Sequence, residues 1–539
     1  MAESYNLFRS AKIISICTFL SRILGLTRDI LCAGIFGTGM IWDAFTVAFK
    51  FPNLIRRLFG EGALSSAFIP IFTEYIEKQG RGDAWKFVNV IVTLLIFVLG
   101  GIVFLGEGTF FTIPKIFHLQ EQWQLIFKLL VIMFPYVLFI CLTALMGAML
   151  NTLHHFFVPA FSPVVMNLCW ISGAISAYYT GNAREKMIYA VALAIFFSGI
   201  IQLGIHIPPL KKKGFSYRPV FNFSHPDLKP IATRMAPIIF GLGIVQINVL
   251  LDSLIAVSFA TTQDGPDTFT LMGIDIHFPL KSGAASVLYY SDRLIQFPLG
   301  VFGIAMATAV FPLFSTHAVR KEWNNFTTTF SKALKFIVFI GIPASLALII
   351  FREPIVDLLY RRNQFNAESA YRTSHAILFY SIGIWAYCGL HVLIRAFYSM
   401  KDTTTPVKIG AMCVGLNLLL NLSLIWILKE GGLALSTSIS AIVQFIILTI
   451  ILQKRLHVKI NRDVVVSAIK TILASLSMAL AGLLTLKLFP EAKEGKTIYL
   501  KGIRLFVPML SAGITFGGTS LLLKSEELKN IIRRSFKKK

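Results

Sequence analysis

Long apolar stretches alternate with short polar ones along the whole chain, and this pattern predicts a series of membrane-spanning helices. Two examples, 88–105 and 336–351, are close to the length of about 20 residues that a helix needs to cross a bilayer. Apolar and polar residues do not alternate within these stretches, as they would in the strands of a membrane β-barrel. We therefore predict an all-α polytopic membrane protein.

Hydropathy, turn residues and charge divide the sequence into about fourteen spans, of which six precede a basic linker. An even number of spans places both termini on the same side of the membrane. The predicted windows are 10–36, 41–70, 86–110, 124–150, 158–180, 186–209, 230–261, 284–316, 328–351, 369–399, 406–428, 431–453, 463–489 and 500–523.

Composition and charge agree with this class of protein. Of the 539 residues, 55% are hydrophobic and 14% are charged, whereas a soluble domain carries about 25% charge. The net charge of +24 collects in loops and in the tail, and most of these basic segments lie on the side of the termini. The positive-inside rule assigns that side to the cytoplasm, and Arg361 and Arg362 on the outer side are an exception.

The basic loops and tail also suit the head groups of anionic membrane lipids. No zinc-finger or RNA-binding signature accompanies the positive charge, which excludes nucleic acid as the predicted partner.

Two similarities within the chain predict an internal repeat. The segment SAFIPIF (66–72) resembles TAVFPLF (308–314), 242 positions later. The segment LNTLHHFFVPAFSP (150–163) resembles FYSMKDTTTPVKIG (397–410), 247 positions later. Repeats of this kind occur in secondary transporters, whose binding sites lie between the halves. The predicted domains are an N-terminal lobe (1–209), a basic linker (210–229), a C-terminal lobe (230–455) and a region with two further spans and a basic tail (456–539).

Charged residues inside the predicted spans are the candidate functional groups. An Arg at the centre of a membrane helix costs about 2.5–3.5 kcal/mol on insertion scales, so these residues are expected to face the protein interior. Cations outnumber carboxylates by six to four, and Arg matches phosphate oxygens well. The set is Arg22, Arg28, Asp29, Asp43, Lys50, Arg56, Arg57, Asp252, Asp292 and Arg293.

The same charges also fit two structural roles. Arg28 could pair with Asp29 or Asp43, and Arg293 with Asp292, as structural ion pairs. Arg56 and its neighbour could instead extend to the membrane surface. Arg22 and Arg28 point roughly 120° apart on a straight helix, so a shared cavity would have to be wide or the helix bent at Gly25.

Four segments resemble the MurJ/MviN family of lipid II flippases, in the same order along the chain. They are SRILGLTRD (21–29), DAFTVAFKFPNLIRRLFGEGALSSAFIP (43–70), YYSDRLIQFPLGVFGIAMATAVFP (289–312) and TPVKI (405–409). The resemblance implies the MOP-superfamily fold, with two six-helix lobes in a pseudo-two-fold arrangement and two C-terminal helices that form a groove for a polyprenyl tail. It also implies transport of lipid II from the cytoplasmic to the periplasmic leaflet of the bacterial inner membrane by alternating access.

The resemblance assigns substrate binding to particular residues. Family cavity arginines that bind the pyrophosphate fall on Arg22, Arg28, Arg56 and Arg293, and a functional acid falls on Asp43. Asn53 and Asp292, within the matching segments, complete the predicted substrate-binding set. Some relatives carry Glu where this chain has Gln296, so a carboxylate role there is in doubt.

A separate polar set is a candidate site for a coupling cation, sodium or proton. It comprises Asp252, Asn417, Asn421 and Thr437, in which Asn421 replaces a carboxylate of some family members. The alternative role for these residues is hydrogen bonding between helices. No other cofactor is expected.

The motifs of several enzymes are missing from the sequence. It holds no P-loop, no HExxH and no GxSxG, so we predict a transporter rather than an enzyme. The alternatives to a lipid II flippase are another MOP-superfamily exporter, for a lipid-linked oligosaccharide or a drug, and a non-transporting scaffold for cell-wall synthesis. Predicted partners are lipid II, anionic lipids and peptidoglycan synthesis proteins. The segment 261–283 receives no role.

Overall fold

A computed structural model describes residues 2–181, 183–222, 224–262, 266–271, 273–456, 462–489 and 498–536, and nearly all of them are helical. Two short strands, β1 (Thr268–Leu271) and β2 (Ile274–His277), form an antiparallel hairpin. The helices are α1 (Ala2–Phe36), α2 (Met40–Ile55), α3 (Leu64–Lys78), α4 (Gly80–Ile116), α5 (Glu121–Met133), α6 (Tyr136–Thr152), α7 (Phe157–Tyr179), α8 (Arg184–Lys212), α9 (Leu228–Ser258), α10 (Ala284–Pro298), α11 (Ala305–Val319), α12 (Trp323–Leu359), α13 (Ala367–Ile382), α14 (Ile384–Ser399), α15 (Thr404–Leu428), α16 (Glu430–Leu456), α17 (Arg462–Lys487), α18 (Ile498–Leu522) and α19 (Glu526–Phe536).

Four of the predicted spans are built from two helices each: α2 with α3, α5 with α6, α10 with α11, and α13 with α14. Within the described ranges, length and hydropathy alone select ten helices able to cross a membrane, or up to twelve when two bent pairs each count as one span. The first two spans, α1 and α2 with α3, fall outside this selection, and they hold seven of the ten charged candidates. The predicted all-α polytopic fold is confirmed.

Two spans are interrupted by π-helical turns at matching places. One π-helical segment, Arg56–Ala63, joins α2 to α3, and the other, Leu299–Ile304, joins α10 to α11. Their first residues are 243 positions apart, close to the offset of the sequence similarities. Such turns carry an extra residue per turn and are frequent at functional sites.

Two further spans bend at matching places. α5 and α6 meet at 42°, and α13 and α14 meet at 46°. The second helices of these pairs, α6 and α14, begin 248 positions apart. These recurrences support the predicted internal repeat.

The turn after each bent span also recurs. His154 and Lys401 both adopt left-handed backbone conformations, with φ of 57° and 62°. In both turns the N–H of the next residue bonds to the carbonyl five positions earlier, from His155 to Leu150 and from Asp402 to Phe397. This is the hydrogen bond of a Schellman helix ending.

The chain forms two compact units, which are described separately. The first runs to Leu254, and its apolar core includes Phe68, Phe87 and Leu145. The basic linker is fixed to this unit, because Asn89 donates to the carbonyl of Ser216 and Thr93 accepts from the N–H of Val220. The domain bounds derived from the sequence stay a prediction.

The second unit begins at Ile255 and includes the last two spans. α17 and α18 pack against α12 around a cluster formed by Phe351, Met478, Leu505 and Ala512. The β1–β2 hairpin belongs to the segment 261–283. The end of that segment is held by Arg372, which donates to the carbonyls of Lys281 and Ser282 and forms an ion pair with Glu430.

Candidate functional site

Arg28 lies in a closed polar contact inside the first unit. Its Nε and Nη2 donate to Oδ1 of Asp29 at 2.9 and 2.7 Å, and its Nη1 donates to Oδ1 of Asn167 at 3.0 Å. The guanidinium also stacks on Trp170, with the Cζ atom 4.2 Å from the ring centroid. Both members of the ion pair are more than nine-tenths buried. The pairing of Arg28 with Asp29, left open by the sequence, is present in the fold.

Asn167 extends this contact to the backbone of α1. Its Nδ2 donates to the carbonyl and to Oγ of Ser21, at 3.0 and 3.2 Å. One asparagine thus joins α7 to two turns of α1. Gly25 lies between these two turns, and α1 is unbroken there.

Arg22 has different surroundings from Arg28. It is exposed, as are its apolar neighbours Phe19, Ile23 and Leu26. Across the described part of the chain it makes no hydrogen bond or ion pair. The guanidinium is therefore available to a ligand, although its helical environment is apolar.

The second span carries three candidate residues whose surroundings differ. Asp43 is fully buried near the start of α2. Asn53 accepts a hydrogen bond at 3.0 Å from Nε of Arg56, which opens the π-helical segment. Asn53 and Arg56 therefore act together, as a side-chain pair at the helix break.

The two remaining cations of this span both contact α9. Nη1 of Arg57 donates to Oε1 of Gln246 at 3.1 Å. Lys50 donates to Oγ of Ser253 and to the carbonyl of Val249. Arg56 and Arg57 thus have separate partners, which sequence alone did not distinguish.

In the second unit, Asp292 and Arg293 are neighbours on α10 that contact different side chains. Gln296 donates to Oδ2 of Asp292 from one turn along the helix. Arg293 lies over Tyr289, with Cζ 4.9 Å from the ring centroid. Gln296 therefore holds the acid by donating a hydrogen bond, which a glutamate in its place could do only when protonated.

Three of the four residues of the predicted cation site form a hydrogen-bonded row in the second unit. Asn421 donates to Oδ1 of Asn417 at 2.9 Å, and Asn417 donates to Oγ1 of Thr437 at 3.3 Å. The row joins α15 to α16, as hydrogen bonding between helices requires. Asp252 is buried and belongs to the first unit.

Sequence reasoning missed Asn167 and Trp170, which complete the contact around Arg28. A single Asn in the apolar stretch VVMNLCW (164–170) was the available signal, since polar side chains in membrane helices usually bind another polar group. The common cavity predicted for the substrate-binding residues stays a prediction, because Asp292 and Arg293 belong to the other unit from the remaining five.

Comparison with solved structures identifies the class of fold. A structure described as "Lipid II flippase MurJ, inward closed conformation" matches with a TM-score of 0.75 and 25% identity, covering 95% of this chain and 98% of that chain. An inward-facing multidrug resistance MATE family transporter of the MOP superfamily matches with a TM-score of 0.62 and 16% identity, covering 80% of this chain and 95% of its own. The polytopic helical fold is that of the MOP-superfamily transporters.

Sequence comparison is more specific. The family model described as lipid II flippase MurJ matches residues 32–500. A probable lipid II flippase MurJ of Vibrio cholerae is 36% identical over 457 residues, covering 83% of this chain and 82% of the relative. The lipid II flippase MurJ of Burkholderia cenocepacia is 30% identical over 459 residues, with 84% of each chain covered. The chain belongs to the MurJ family.

Proposed function

We propose that this protein moves lipid II from the cytoplasmic to the periplasmic leaflet of the bacterial inner membrane for peptidoglycan synthesis. Membership of the MurJ family supports the substrate. The cations of the first two spans support recognition of its pyrophosphate group, because guanidinium groups bind phosphate oxygens through two parallel hydrogen bonds. The protein acts as a transporter, by alternating access.

The observation that carries this proposal is the position of Arg22. An exposed guanidinium with no ion pair among the described residues lies between apolar side chains near the middle of α1. Holding it there costs about 2.5–3.5 kcal/mol on insertion scales. A charged ligand that passes through this part of the protein offsets that cost.

The other proposed ligands have supporting roles. Arg56 binds the pyrophosphate while Asn53 orients it, and Arg293 binds from the eighth span over Tyr289. Arg28 contributes charge from its contact with Asp29. The full proposed set is Arg22, Arg28, Asp43, Asn53, Arg56, Asp292 and Arg293.

The proposed orientation places both termini in the cytoplasm. Three basic segments, 211–213, 320–321 and 454–455, each follow an even-numbered span, as does the basic tail. Lys and Arg are enriched in short cytoplasmic loops.

The test is complementation in cells depleted of their own flippase, with a probe that detects lipid II only on the outer leaflet. Wild type is expected to restore exposure, whereas Arg22→Ala is expected to abolish it. Arg22→Lys is the matched control, because it keeps the charge but loses the planar fork, and intermediate activity is expected. Wild type that inserts well and never restores exposure would contradict the proposed substrate.

A scaffold and a flippase respond differently to the same variants. If Arg22→Ala, Arg56→Ala and Arg293→Ala all retain full lipid II exposure, pyrophosphate binding by these residues is wrong. If Arg22→Ala supports growth without any protein-dependent exposure of lipid II, a scaffold is favoured instead.

For energy coupling we propose a monovalent cation bound by Asp252, Asn417, Asn421 and Thr437. Carboxylate, amide and hydroxyl oxygens are suitable ligands for sodium. The test is lipid II exposure in sodium-containing and sodium-free buffer. Wild type is expected to depend on sodium and Asp252→Ala to lose that dependence, while equal activity of wild type in both buffers would exclude sodium coupling.

A further inference from the structure

A cluster of four cations lies where the C-terminal end of α12 meets the start of α18, and none of them belongs to the proposed substrate-binding set. The cations are Arg361 and Arg362, directly after α12, and Lys501 and Arg504, in the first two turns of α18. These two arginines of the α12 end are the exception to the positive-inside rule noted in the sequence.

One carboxylate lies at the centre of the cluster. Oδ1 of Asp357 is 3.5 Å from Nη1 of Arg361, and Oδ2 of Asp357 is 3.6 Å from Nη1 of Arg504. These distances exceed those of charge-assisted hydrogen bonds, which are about 2.7–2.9 Å. Asp357 therefore attracts both guanidinium groups but is shared between them.

The other two cations bind the end of α12. Lys501 donates to the carbonyls of Asp357 and Arg361, at 3.3 and 3.1 Å. Arg362 donates to the carbonyls of Leu358 and Leu359, at 2.9 and 2.8 Å. Cations are favourable at a helix C-terminus, so this part of the cluster has a structural role.

Capping of α12 does not account for Arg504. Its side chain is about nine-tenths buried, and its Nε has no hydrogen-bond partner among the described residues. Leaving a buried charged donor unsatisfied is costly. The apolar cluster of Phe351 and Leu505 lies beside it and limits access of water.

The cluster brings four cations to one helix end. Asp357 is the carboxylate shared by Arg361 and Arg504, and the helix end adds a partial charge of roughly −0.5. Like charges this close in a partly buried site repel one another unless an anion joins them.

We propose that Arg361, Arg362, Lys501 and Arg504 form a binding site for a phosphate group, supplied by an anionic phospholipid or by free phosphate. The phosphate lies against the guanidinium groups of Arg361 and Arg504, where one of its oxygens accepts the hydrogen bond that Nε of Arg504 lacks within the described residues. Arg forks suit phosphate oxygens in this way. The site contains no residue of the proposed substrate-binding set, and the proposal does not depend on the proposed orientation.

The test uses the full-length protein purified in a neutral detergent. Thermal stability is measured during titration with phosphatidylglycerol, with phosphatidylcholine of the same acyl chains, and with inorganic phosphate. Phosphatidylglycerol is expected to stabilise wild type more than phosphatidylcholine does. Stabilisation by phosphatidylglycerol alone identifies a lipid head group as the ligand, and stabilisation by inorganic phosphate as well identifies the phosphate group itself.

Two variants are expected to change the apparent affinity for phosphatidylglycerol in opposite directions. Arg504→Gln removes a ligand and is expected to weaken the apparent affinity roughly tenfold, the loss of one hydrogen bond to a charged group. Asp357→Asn removes the competing carboxylate and is expected to strengthen it. A purely structural ion pair predicts loss of stability in both variants and no change in lipid affinity in either.

Arg320→Gln is the matched control, because Arg320 precedes the other end of α12 and pairs only weakly with Glu322, at 3.9 Å. It is expected to bind phosphatidylglycerol as wild type does. Where Arg504→Gln does not fold, Arg361→Gln replaces it. Equal responses of wild type to phosphatidylglycerol and phosphatidylcholine without any response to phosphate, or unchanged affinity in both Arg504→Gln and Asp357→Asn, would overturn the proposal.

Discussion

The second and eighth spans share a backbone plan but differ in the side chains that it carries. Each is interrupted by a π-helical segment, and each such segment contains a Phe-Gly pair, at 59–60 and at 302–303. The fourth and tenth spans bend by 42° and 46°. Elsewhere in the spans, the first half holds the buried pair of Arg28 with Asp29. The second half holds a row of neutral amides and hydroxyls in addition to its own pair of Arg372 with Glu430.

The two halves therefore share the positions of their helix breaks but not the polar side chains inside their spans. The breaks recur at offsets of 243 and 248 residues, because repeated sequences tend to keep the turns that set helix direction. The polar groups inside the spans do not recur with them. The first two spans hold most of the charged candidates, whereas α15 and α16 hold the amide row, which is consistent with separate roles for these spans.

The largest effect is expected from breaking the buried charge pair of the first half. Arg28→Gln leaves Asp29 charged and without its guanidinium, which costs about 3–5 kcal/mol in a buried site. Thermal unfolding in detergent measures the loss. Adding Asp29→Asn should restore much of the stability, and Arg293→Gln, in the second half, should cost less. Equal losses for Arg28→Gln and Arg293→Gln would remove the contrast between the halves.

A smaller effect is expected from filling the π-helical segment of the second half. A Cβ atom on Gly303 would lie 3.0 Å from Cα of Cys388, so Gly303→Val forces α14 away and is expected to cost about 1–3 kcal/mol. Gly415→Val is the control, since nothing lies within 4 Å of a Cβ there. If both variants lose the same stability, close packing of Gly303 against Cys388 does not stabilise the π-helical segment.

The turns at His154 and Lys401 give a third contrast, because only the second is followed by an acid. Asp402 accepts hydrogen bonds from the backbone of Thr404 and Thr405 and pairs with Arg455. Burial opposes its ionisation, but these contacts prevail and lower the pKa of Asp402 to about 2. Asp402→Asn keeps an oxygen that can accept these hydrogen bonds but loses the charge, so it is expected to cost about 1 kcal/mol near neutral pH, roughly the difference between a charge-assisted and a neutral hydrogen bond.

The pH dependence of that loss has a definite sign. Because the pKa is lowered, ionised Asp402 stabilises the fold above the usual pKa of an aspartate, and this stabilisation disappears as the pH falls toward 2. The gap between wild type and Asp402→Asn should narrow as the pH is lowered below about 4. A gap that is constant from neutral to acidic pH would show that the carboxylate charge is not responsible.

The smallest effect is expected in the amide row. Asn421→Leu removes the hydrogen bond to Asn417 and is expected to cost about 0.6 kcal/mol, the average for such bonds between membrane helices. Differential unfolding with and without sodium measures both the loss and any cation effect. A loss of several kcal/mol that appears only in sodium would favour a cation ligand over a bond between helices.

The order and extent of the spans could be predicted from the sequence because hydropathy and turn residues determine them directly. An ion pair was one of the two roles predicted for Arg28, because Asp29 is its neighbour in the sequence. Its third partner, Asn167, is 139 positions away and could not be assigned, because side-chain contacts between helices depend on rotation and packing. The π-helical segment at 56–63 was missed for a related reason: its extra residue per turn follows from packing rather than from any composition.

The adjacency of Arg28 and Asp29 also bears on how the protein enters the membrane. α1 is synthesised before α7, yet the side chains of Arg28 and Asp29 are already joined within α1 itself. The first span can therefore be inserted with this pair already neutral, long before α7 has been synthesised. Asn167 is synthesised later, and its side chain then accepts a hydrogen bond from Arg28. Insertion of the first span therefore does not require the rest of the chain.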